Sequence, residues 1–413
     1  MRRPAKILLA GTMLLLPMLP PLSGVAISQS TLDNIQAQSG SVTSTDTLNV
    51  VAVSDSTTAT ATSSGNAISG AVEAGSLAVQ STQTLISAVS ASSIVNVTSN
   101  AGAQTSMSTA ATGNTGDTGS YGGGALTGTV NQSISATGST VGASQFNASG
   151  AQAGAVSASV QAIGNSHGVT VSDTSAAMTI GQANGGLTQA SGDAILGYAP
   201  GAATFSAIAV ANSVTATGTG NNSQALTLNQ SATGQVISEQ DAHLGNGQAI
   251  TGAATSTGNN ILVTNETGGL SVTAVQADTG YVQAQGQVSG YEFGSGQATA
   301  YGVGNSALVG NYGQTLNLDN TQANSGGGAV VNANYSGDNG YDAYSSATVM
   351  GNAVTGYACS DCNGTMTVKN SQTNSTDLSA SSQVDITTSA RSATATATAV
   401  GNSATFYVSK PTH

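Results

Sequence analysis

Two markers recur along this chain at one spacing, and that repeat constrains the fold more than any composition figure. A Gly-Asn pair or its close variant falls at Gly65-Asn66, Gly113-Asn114, Gly164-Asn165, Ala211-Asn212, Gly258-Asn259, Gly304-Asn305, Gly351-Asn352 and Gly401-Asn402, in steps of 48, 51, 47, 47, 46, 47 and 50 residues. A glutamine travels with it: Gln36, Gln83, Gln132, Gln182, Gln230, Gln276, Gln322 and Gln372, in steps of 47, 49, 50, 48, 46, 46 and 50. The distance from Gln to Gly within a copy stays between 28 and 32 residues. A sustained period of this length means one structural unit used repeatedly, each burying its apolar face against the next. Eight such repeats account for residues 27–413 as a single repetitive domain.

The positions two and four before the Gly are small in every copy, from Ser63 and Ala61 in the first to Ala399 and Ala397 in the last. Small residues at period two describe a strand whose inner face meets another sheet at close range. The Gly-Asn pair reads as a turn, because both residues tolerate positive φ. Apolar runs such as 313–318 and 325–333 bring the expectation to roughly four strands per repeat. No stretch after residue 26 has helical periodicity.

The expected fold class is therefore all-β, a β-solenoid or β-helix-like stack with coils about 4.8 Å apart. Stacking sets like residues above one another, so the eight Asn and eight Gln markers form amide ladders along the axis. Those ladders offset the small apolar contribution of an Ala/Ser/Thr core. One coil per repeat makes a rod of about 40 Å and two coils one of about 75 Å; the thin core favours two.

The first 26 residues read separately. Arg2, Arg3 and Lys6 precede an apolar run from Ile7 to Leu19, and Gly24-Val25-Ala26 supplies small residues for cleavage. This is a secretory signal peptide, too short for a membrane span, so the chain is expected to be exported. No cysteine near the cleavage point offers a lipid anchor. Without the signal, Lys369, Arg391 and Lys410 face 18 acidic residues, a formal charge of −15. Nothing there neutralises phosphates, which excludes nucleic acid and disfavours anionic lipid. Only Pro200 and Pro411 follow the signal, which favours continuous backbone pairing over disorder. The ending Lys410-Pro411-Thr412-His413 lacks the terminal aromatic strand of an outer-membrane barrel, so partner proteins are expected to hold the chain at the surface.

Few residues invite chemistry. Cys359 and Cys362 are the only cysteines, and in an exported protein they are expected to close a local disulfide loop. His167, His243 and His413 are too scattered to complete a zinc site, and no cofactor or metal is expected. Carboxylates are spread nearly singly, and Asp338 and Asp342 around Asn339, the group singled out, read as loop solvation, so paired acid/base catalysis is not expected. A face of Thr pairs for binding ice fails, because only Thr60/Thr62 and Thr396/Thr398 qualify. Tyrosines crowd after residue 280: Tyr281, Tyr291, Tyr301, Tyr312, Tyr335, Tyr341, Tyr344, Tyr357 and Tyr407. They read either as a glycan-facing aromatic strip or as a structural stack.

The steps Gly65-Asn66-Ala67, Gly304-Asn305-Ser306-Ala307 and Gly401-Asn402-Ser403-Ala404, with the recurrent Gln, are similar to curlin-type adhesive fibre repeats, which are about half as long. As a whole, the signal MRRPAKILLAG and the Gly-Asn/Gln array resemble the D-type holdfast attachment (anchor) proteins of stalked alphaproteobacteria. That resemblance implies an outer-membrane or cell-surface location and a role in fastening an adhesive polysaccharide holdfast to the cell. The expected function is a non-enzymatic adhesin or anchor whose partners are extracellular polysaccharide and other surface anchor proteins. The alternatives are a curli-like functional amyloid subunit, self-associating into fibres, and a polysaccharide-active β-helix enzyme.

Overall fold

The structure, a computed structural model, describes residues 28–359 and 364–409. The signal segment, Cys362 and Lys410 lie outside the described residues.

Alternating small and β-branched residues with almost no Pro leave the backbone free to pair continuously, and it does so in parallel throughout. The first repeat forms β1 (Ser28–Gln38), β2 (Val42–Ala52) and β3 (Ser56–Glu73); the second β4 (Gly75–Leu85), β5 (Ala88–Asn100) and β6 (Gln104–Tyr121); the third β7 (Ala125–Ile134), β8 (Ser139–Gln152) and β9 (Ala155–Ser172). In the next four repeats the second and third segments run on as one strand. These are β10 (Ser175–Asn184) with β11 (Leu187–Thr219), β12 (Ser223–Ala232) with β13 (Val236–Asn265), β14 (Gly269–Asp278) with β15 (Val282–Asn311), and β16 (Thr315–Asn324) with β17 (Ala329–Cys359). The eighth repeat is β18 (Thr365–Asn374), β19 (Leu378–Ser389) and β20 (Ser392–Ser409).

Every strand pairs with its counterpart one repeat away, as Gln36 with Gln83 and Asn66 with Asn114. Each repeat is thus one coil of three segments, stacked into a β-solenoid. The expected two coils and four strands per repeat are corrected here. The coil is wide, and its thin interior needs no second turn because small side chains and buried amides fill it.

The Gly-Asn pairs are not turns. Gly65-Asn66 lies inside β3, and every later pair is likewise inside a strand. The Gly is needed because the coils approach closely there: a Cβ on Gly65 would sit 2.5 Å from the Gly113 carbonyl oxygen, and one on Gly258 2.5 Å from that of Gly304. The chain turns instead at the corner between third and first segments, where Ala74 (φ 54°), Gly122 (φ 73°), Asp173 (φ 54°) and Gly220 (φ 65°) take the left-handed conformation.

The third segment faces both others. Its first half packs on the second segment around Phe146, Phe205, Phe293 and Tyr335. Its second half packs on the first segment, with Val169 and Val171 against Leu126, Met178 and Ile180. Between these apolar ends run the two amide columns. Asn114 Nδ2 donates to Asn165 Oδ1 (2.7 Å) and to the Ser133 carbonyl (3.0 Å), while Gln132 Nε2 donates to Gln83 Oε1 (2.8 Å) and to the Ser166 carbonyl (2.9 Å). The same bonds recur at the neighbouring coils, for example from Asn212 and Gln276. Each ladder therefore ties coil to coil and, through its carbonyl bond, one face of the coil to the other. The Asn ladder donates towards the C-terminal end and the Gln ladder towards the N-terminal end.

Candidate functional site

With the amides inside, two surface grooves run along one corner of the stack, at the bend between second and third segments. Outward positions at the bend between second and third segments stack as Tyr198, Asn246, Glu292, Asn339 and Ser389, one per coil. Asn246 Nδ2 donates to Glu292 Oε2, and Ser389 Oγ donates to Asn339 Oδ1 at 2.7 Å. Beside this row lies an open groove of about 640 Å³, floored by Phe293, Gly294 and Gly340 and edged by Tyr341. On its other side lies a second groove of about 510 Å³ containing Tyr291, His243 and Asp338. Tyr291 and Tyr341 are 63% and 62% exposed, so both rings stand in water beside polar side chains.

Local packing fixes this geometry. Phe293 turns inward and meets Tyr335 edge to face, with centroids 5.2 Å apart at 71°. Gly340 is required because a Cβ there would sit 2.5 Å from the Phe293 ring. Below Tyr341, the Arg391 guanidinium lies 5.8 Å from the ring centroid and pairs with Asp342, its Nε donating to Oδ1 at 3.0 Å.

The nine tyrosines do not form one strip. Tyr335 is 1% exposed and belongs to the core, which removes it from any glycan-facing surface. Tyr312, Tyr357 and Tyr407 stack at another corner, with centroid separations of 5.2 and 5.9 Å. Tyr281 and Tyr301 are half-buried on the outer walls, and Tyr344 is exposed. Cys359 is buried at the end of β17 and disulfide-bonded, while Cys362 falls outside the described residues. Glu292, Asn246 and Phe293 were missed in the sequence. The triplet Tyr291-Glu292-Phe293, in a chain with four Phe in all, was the available signal.

Asp338 and Asp342 are both held ionised. Hydrogen bonds from Thr387 and Thr388 hold the Asp338 carboxyl below its usual range, and those from Arg391 and Ser392 do the same for Asp342. Neither carries a proton to give at neutral pH. The carboxyl pushed furthest up, Asp278 at about 8, is raised by burial and opposed by the Gly280 amide that it accepts from. At 1% exposure it is sealed in the core. Among the described residues no group of three or more His, Cys, Asp or Glu could hold a metal, and no helix is long and apolar enough to cross a membrane. What the corner offers is rings, amides and carboxylates in a row, the side chains that stack on sugar faces and bond hydroxyls.

A family model described as holdfast attachment protein D matches residues 51–328. Searches of curated proteins and of solved structures give no match.

Proposed function

The chain belongs to the holdfast attachment protein D family, and from that premise we propose that it is a non-enzymatic cell-surface anchor, a stiff rod that holds an adhesive extracellular polysaccharide against the cell envelope. Family membership carries the role in holdfast attachment and a place at the cell surface. The finer reading rests on the corner rows: Tyr291 and Tyr341 expose rings beside Asn246, Glu292 and Asn339. Tyr291 and Tyr341 stand on adjacent coils, about 4.8 Å apart in the stack, so the weak contacts of the two rings add. Other surface anchor proteins are the partners that retain it on the envelope.

The experiment is retention of the purified chain on isolated holdfast polysaccharide, comparing wild type with Tyr291→Ala/Tyr341→Ala. Loss of two stacked rings lowers retention about tenfold, with the circular dichroism spectrum unchanged. Unchanged retention of the double variant contradicts the reading. Release of oligosaccharides from the polymer would replace it with the enzymatic one.

A further inference from the structure

The stack has no cap among the described residues. The first coil (β1–β3) and the last (β18–β20) each pair on one side only, so each leaves an open parallel edge of unpaired backbone groups. The ladders also end open, in complementary senses. Asn66 Oδ1 and Gln372 Oε1 are acceptors without a partner among the described residues, and Asn402 Nδ2 and the second Gln36 Nε2 hydrogen are the matching donors.

One shift matches the two ends on all three faces. Gln372 and Gln36, Asn402 and Asn66, and Leu378 and Val42 are each 336 residues apart. The same shift sets Val368 over Leu32, Val384 over Leu48 and Ile386 over Val50, all apolar side chains at the open rims of the core. Charge follows the same register. The first coil carries Asp33, Asp46, Asp55 and Glu73 and no basic residue, whereas the last carries Lys369 and Arg391. The shift sets Lys369 over Asp33, repeating its existing contact with Asp319, and Arg391 over Asp55. The other acidic residues of the two coils fall opposite Ser41, Asn49, Ser382 and Ser409, so no like charges meet.

We propose that the last coil of one molecule seats on the first coil of a second copy of this chain, head to tail and in the register of the repeat. Asn402 then donates to Asn66 of the next copy, and Gln36 of that copy donates back to Gln372. The contact is heterologous and does not close, so it builds a linear rod. It stands independently of the polysaccharide reading.

Sedimentation velocity on the purified chain across micromolar concentrations tests this, with electron microscopy of the product. The wild type lengthens with concentration at constant width. Lys369→Glu/Arg391→Glu sets acid against acid at both paired positions, and Asp33→Lys/Asp55→Lys sets base against base there. Each variant alone, with a native β spectrum, needs at least about tenfold more protein to assemble. Mixing the two restores assembly, because Glu then meets Lys at one junction and the original pairs meet at the other. A chain that stays monomeric at every concentration overturns the proposal. So do variants that assemble like wild type, or folded variants that fail to rescue each other.

Discussion

Asn212 Nδ2 donates to Asn259 Oδ1 at 2.8 Å, although 47 residues separate them and both are wholly buried. That bond is one rung of a column that makes each coil hold the next. A buried amide is stabilising only while all its groups are paired, and its loss leaves several orphans at once.

Asn259→Ala therefore strands the Asn212 amide hydrogen, the Asn305 oxygen and the Ala277 carbonyl. The expected loss is about 2–4 kcal/mol, read as a shift of the urea midpoint. Asn402→Ala, on the partly solvated last coil, removes a single rung and costs under about 1 kcal/mol. Equal costs at both positions contradict the buried-ladder account.

Asp278 lies in a column with Asn184, Ala232, Asn324 and Asn374, and its Oδ2 has no hydrogen-bond partner. Its carboxyl is raised from 3.8 to about 8, so between those values the folded state keeps a proton that the unfolded state has lost. Stability from this group therefore falls as pH rises from about 4 to about 8, and is flat beyond. Asp278→Asn removes that slope and stabilises at pH 8 by on the order of 2–5 kcal/mol, while leaving pH 4 nearly unchanged. Denaturation midpoints at the two pH values read the difference.

The tyrosines separate by the same measurements. The Tyr335 hydroxyl is buried without a partner, so Tyr335→Phe is neutral or stabilising by about 1 kcal/mol, and Tyr335→Ala costs about 3–5 kcal/mol by opening the Phe293 contact. Tyr341→Ala leaves the midpoint within about 0.5 kcal/mol because its ring stands in solvent. A strong destabilisation by Tyr341→Ala would show that this ring holds the fold together.

The repeat, the parallel all-β stack and the amide ladders were legible because like residues at a fixed period must sit above one another once coils stack. The role of Gly-Asn was not. A Gly at a turn and a Gly beneath a neighbouring carbonyl look the same in sequence, and only the register of Gly65 against Gly113 distinguishes them. Coil number was misread because a core of Ala and Ser looks too thin for a wide coil. Buried Gln and Asn, which count as polar in the sequence, supply the missing volume. The surface rows were hidden because Asn246, Glu292 and Asn339 are neighbours only through the stack.

One coil per repeat is the central claim, and a spin-label distance tests it most directly. Thr127 and Asn317 face outward four coils apart, linked through Ala177, Ala225 and Ser271. Nitroxides on Thr127→Cys/Asn317→Cys, with the native cysteine pair oxidised, should give a narrow dipolar distance centred near 19 Å, four steps of about 4.8 Å. A distribution centred near 38 Å, which two coils per repeat would produce, contradicts the account.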